Sequence, residues 1–92
     1  MLDAQWNRLI HYLRKGLNAS GQELALLEVD RATGAVRISI PGTAQAWQCT
    51  VLEADLMHGD LILEAEYLLR TYRIACEKAI TRVRLVAAAV RA

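Results

Sequence analysis

The chain has 92 residues, 54% of them hydrophobic and 23% charged, and its eleven basic and ten acidic side chains leave a net charge of +1. That length makes one domain. The near-neutral balance excludes the strong basic excess of a nucleic-acid or anionic-membrane binder, and no apolar run approaches the roughly 20 residues that cross a bilayer.

The charge is unevenly distributed along the chain. Residues 23–66 hold eight of the ten acids, among them Glu53, Asp55, Asp60, Glu64 and Glu66. Residues 67–92 hold Arg70, Arg73, Lys78, Arg82, Arg84 and Arg91 against Glu77 alone. Cys49 and Cys76 are the only cysteines, and Met1-Leu2-Asp3-Ala4 has no basic start followed by an apolar stretch. A soluble protein of a reducing, cytoplasmic compartment is the expectation. Phe is absent, so aliphatic side chains must fill the core. Their abundance exceeds what a small core needs, which points to a second buried surface such as an oligomer interface.

Residues 3–15 read as an amphipathic helix. Leu2, Trp6, Leu9, Ile10, Leu13 and Leu17 recur at helical spacing, and Asp3 suits the positive end of the helix dipole. Arg14-Lys15-Gly16-Leu17 has the pattern of a C-terminal stop, with Gly16 in the left-handed position. Residues 18–22 form a loop.

Two strands follow. Ala25, Leu27 and Val29 alternate with Leu24, Leu26 and Glu28, and Val36, Ile38 and Ile40 alternate with Arg37 and Ser39. Asp30-Arg31-Ala32-Thr33-Gly34 between them reads as a hairpin loop closed by a left-handed Gly34. Pro41-Gly42-Thr43 is a second turn. A third strand from Ala46 to about Val51 places Trp47, Cys49 and Val51 on one face. The competing reading is an early helix, for which Thr50-Val51-Leu52-Glu53 matches a capping box; the favoured reading is the strand to about Val51 and then a short helical turn through Met57.

His58-Gly59 interrupts the pattern, and Asp60 caps a helix that can run from Leu61 to about Val90. On a helical wheel Leu61, Ala65, Leu68, Tyr72, Ala79, Val83, Val86 and Val90 fall on one apolar face, wider than a coiled-coil seam. The first half of that face can cover the sheet, whereas the second half runs past it. A second, narrower row holds Leu63, Tyr67, Ile74 and Leu85. The chain is therefore expected to be α+β: an N-terminal helix, a three-stranded antiparallel meander, and a long C-terminal helix packed on the sheet.

No pattern carries chemistry. There is no phosphate-binding glycine loop, no metal-protease HExxH and no GxSxG elbow, so no catalytic residue, cofactor or metal is assigned. Glu53, Asp55, His58, Asp60 and Glu64 are of ligand type, but they lack a ligand spacing; the acids read as solvated helix-start residues and His58 as a turn residue before Gly59. Cys49 and Cys76 read as inert core thiols. Three functional readings follow. The first is a non-enzymatic protein-binding module, a small regulator, inhibitor or chaperone-like adaptor. It dimerises through Leu68, Tyr72, Ala79, Val83, Val86 and Val90, with Leu63, Tyr67, Ile74 and Leu85 as a second interaction row. The second is a nucleic-acid accessory protein whose Arg82, Arg84 and Arg91 meet an anionic partner. The third is a ligand binder or enzyme with His58 beside a cleft.

Overall fold

The computed structural model describes the backbone of residues 2–91 and the side chains of residues 2–82. Helix α1 spans Asp3–Ala19. Strands β1 (Leu27–Asp30), β2 (Ala35–Ser39) and β3 (Ala46–Thr50) follow, then a short helix α2 (Glu53–His58) and the long helix α3 (Leu61–Arg91). The strands form one antiparallel sheet in the order β1-β2-β3. The expected α+β arrangement is the one observed.

Register follows from alternation. Leu27 stands opposite Ile38 and Ile38 opposite Trp47, while Val29 stands opposite Val36 and Val36 opposite Cys49. All six lie on the covered face, and Glu28, Arg37 and Gln48 line up on the exposed one. A one-residue slip would send every apolar side chain to solvent, and the tight hairpin turn fixes the register against longer slips. The hairpin closes as its sequence requires. The Gly34 amide donates to the Asp30 carbonyl at 2.8 Å, and Gly34 takes φ 79°. A Cβ at Gly34 would also collide with the carbonyl oxygen of Val51.

The two long helices pack on each other and on the covered face. Leu9, Leu13 and Leu17 of α1 meet Leu61, Ala65, Leu68 and Tyr72 of α3 in one buried cluster that includes Val36 and Ile38. The Tyr72 ring stands edge-on to Trp47 with centroids 6.0 Å apart. Among the described side chains the last that packs against this core is Ala79. The helix backbone continues a further twelve residues to Arg91, roughly 18 Å at 1.5 Å per residue. The molecule measures 55 × 25 × 18 Å. Among the described residues no helix is long and apolar enough to cross a membrane.

Three local expectations are corrected. Helix α1 does not stop at Gly16 but runs to Ala19, where the Gln22 amide donates to the Leu17 carbonyl at 2.8 Å and Gly21 takes φ 78°. This is the Schellman closure, displaced by five residues. Gly16 lies inside the helix with Leu69 of α3 against it, where a Cβ would overlap Leu69 Cδ1. Leu24 and Leu26 lie before β1 and are exposed, so the first strand is shorter than alternation suggested. The capping box is not used: Leu52 precedes α2 with no side-chain cap.

Candidate interaction surface

Helix α3 presents its residues in three groups. Asp60 begins it, its Oδ1 accepting from the amides of Ile62 at 2.9 Å and Leu63 at 3.3 Å, which is the expected cap. Leu61, Ala65, Leu68 and Tyr72 face inward. Leu63, Tyr67 and Ile74 face the opposite way and remain 60%, 55% and 45% exposed. Helix α1 packs on another side of α3, around Leu69 and Gly16.

This placement removes Leu68 and Tyr72 from the expected dimer face. Leu68 and Tyr72 are 0% and 1% exposed, so their surface is already buried within their own chain and no second chain can reach it. The Tyr72 hydroxyl also donates to the Ser39 carbonyl at 2.8 Å. Burial, reinforced by the adjacent Cys76 thiol, pushes the Tyr72 phenol well above its ordinary range. Ala79 is half-buried against the core. The side chains of Val83, Val86 and Val90, like those of Leu85, Arg84 and Arg91, lie outside the described residues. Ile80, one residue beyond Ala79, is 49% exposed.

The electrostatics of α3 change sign along its length. Asp55 and Glu64 lie near each other at its start. Burial first, and the Asp55 carboxylate second, raise the Glu64 carboxyl above its ordinary 4.5. Arg70, Arg73, Glu77, Lys78 and Arg82 are exposed further along. Ile74, Glu77, Lys78, Thr81 and Arg82 line a shallow, mainly apolar depression on the outer side of the helix.

The remaining candidates are dispersed. His58 ends α2 and is exposed. Among the described residues a cleft of about 480 Å³ lies instead between the start of α1, the hairpin loop and α2, and His58 does not line it. Within that cleft Arg31 donates to Asp3 at 3.1 Å and to Asn7 at 2.8 Å, so its guanidinium already fastens the hairpin loop to α1. Among the described residues no three His, Cys, Asp or Glu side chains gather closely enough to hold a metal ion. Cys49 and Cys76 are half-buried free thiols.

Sequence reasoning missed one feature. Arg14, read as a charge at a helix end, donates to the carbonyls of Ala25 at 2.8 Å, Gln22 at 3.1 Å and Glu23 at 3.2 Å. Its signal is spatial, since the acceptors are backbone atoms whose positions depend on how the loop returns.

Set against protein-family models, curated proteins and solved structures, the chain matches none of them.

Proposed function

We propose that this chain is a protein-interaction module that associates with a second copy of itself through α3. The observation that carries this reading is the outer row. Leu63, Tyr67 and Ile74 are large, exposed and aligned on the side of α3 away from its own core. Scattered exposed apolar residues are ordinary on a protein surface. A row at helical spacing on the side of a helix turned away from its own core is the pattern by which one helix receives another. The sign change along α3 favours a second copy over an unrelated partner, because two such helices placed head to tail bring each acidic start beside a basic end.

Light scattering or equilibrium sedimentation across a concentration series tests this. The expected mass rises with concentration toward twice 10.2 kDa. Ile74→Glu and Tyr67→Glu should hold it at the monomer value with the circular dichroism unchanged, since both side chains are exposed in the folded chain. A monomer mass throughout the series, or a dimer indifferent to Ile74→Glu, overturns the reading. Leu68→Glu is no test, because it places a charge in the monomer core and unfolds the chain.

A further inference from the structure

We infer that two copies of α3 pair antiparallel along their outer rows, with the two-fold axis level with the Tyr72–Arg73 step. This rests on the self-association proposed above and adds its direction and register.

At 3.6 residues per turn the outer row lies opposite the buried line of Leu61, Leu68 and Tyr72, so a second helix seated there meets neither the sheet nor α1. Glu64 and Arg82 project on one flank of the row, and Arg70 and Glu77 on the other. A two-fold axis perpendicular to an antiparallel pair sets each flank against the same flank of the second copy. Glu64 of one copy then lies within about 1.5 Å along the axis of Arg82 in the other, and Arg70 within about 3 Å of Glu77. By symmetry each contact occurs twice. The same register brings Tyr67 level with Lys78 of the second copy, over the depression between Ile74, Glu77, Lys78 and Thr81. A parallel pair would instead set the acidic start beside the acidic start and Arg82 beside Arg82, at a cost in like-charge repulsion.

Charge exchange between separately purified chains tests the register. In Arg70→Glu both cross-contacts become acid on acid, and in Glu77→Arg both become base on base. Each variant alone should dimerise about tenfold more weakly than the parent chain, from two reversed exposed pairs. An equimolar mixture of the two should recover the parental affinity, because each chain then meets its opposite. Both residues are exposed, so folding is retained and is checked by circular dichroism. Glu64→Arg mixed with Arg82→Glu should behave alike, with the fold of the Glu64 variant, whose side chain is half-buried, checked in the same way. A parent dimer whose single variants are unaffected, or whose mixtures fail to recover in either set, overturns this register and leaves self-association standing. A parent chain that is monomeric throughout overturns both.

Discussion

The Tyr72 hydroxyl, near the middle of α3, donates to the backbone carbonyl of Ser39 at the end of β2 across 2.8 Å. Ser39 is already engaged on its other sides. Its amide donates to the Leu26 carbonyl at 3.0 Å and its Oγ accepts from the Leu26 amide at 2.8 Å. The long helix is thus tied to the one place where the sheet gathers the β1 approach and the β2 end.

Replacing Tyr72 by Phe keeps the ring against Trp47 and removes only the donor. It should cost about 1 kcal/mol at neutral pH. Its pH dependence is more telling. The folded chain raises the phenol above its ordinary value of 10.0, so the unfolded chain ionises first. The stability held by the neutral phenol is complete below about pH 10 and is lost as pH rises toward the folded value. Urea melts at neutral pH and above pH 10 should show the parent weakening more steeply than Tyr72→Phe, and equal slopes would refute this account.

Gly16 marks a helix crossing and not a helix stop. Gly16→Ala adds a methyl against the tip of the half-buried Leu69 side chain, which can swing aside, and gains helix propensity of about 1 kcal/mol. The expected net change is under about 1 kcal/mol. Gly16→Ile cannot be accommodated that way and should cost about 1–3 kcal/mol. Similar midpoints for the two variants in urea would mean that α1 and α3 do not meet here.

Arg14 holds residues 22–25 through three carbonyls. Arg14→Ala should destabilise the chain by about 2 kcal/mol, the range of a charge-assisted hydrogen bond set. Arg14→Lys should recover less than half, because one ammonium cannot span acceptors that a planar guanidinium reaches together. Amide exchange at Ala25, whose N–H donates to the Gln22 carbonyl at 3.1 Å, should quicken in both variants. Unchanged exchange would show that the loop holds itself.

Asp60 caps the first turn of α3. Asp60→Ala should cost about 1 kcal/mol in a urea melt and Asp60→Asn much less, since the amide oxygen can still accept. Equal losses would assign the effect to the negative charge at the helix start instead of to the cap.

The strands, their register and the hairpin were legible in the sequence because they are local. Alternation at Val36, Arg37, Ile38 decides which face is covered, and a left-handed residue after Asp30 admits Gly34 with little competition. The start of α3 at Asp60 was equally legible, since a cap is a contact between neighbours in the chain. What the sequence could not decide is which part of the wide apolar face of α3 the chain covers itself. Leu68 and Tyr72 are as apolar on the wheel as any interface residue, and only the arrival of α1 and β3 from distant sequence assigns them to the core. The role of Gly16 also depended on a helix some fifty residues away, and that of Arg14 on a loop that must first fold back. By itself the sequence determined the order of elements and their amphipathic faces, which follow from local backbone sterics and side-chain spacing. The tertiary structure decided which faces meet, because burial is a property of the surfaces that come together, and it left the Leu63–Tyr67–Ile74 row uncovered within the chain.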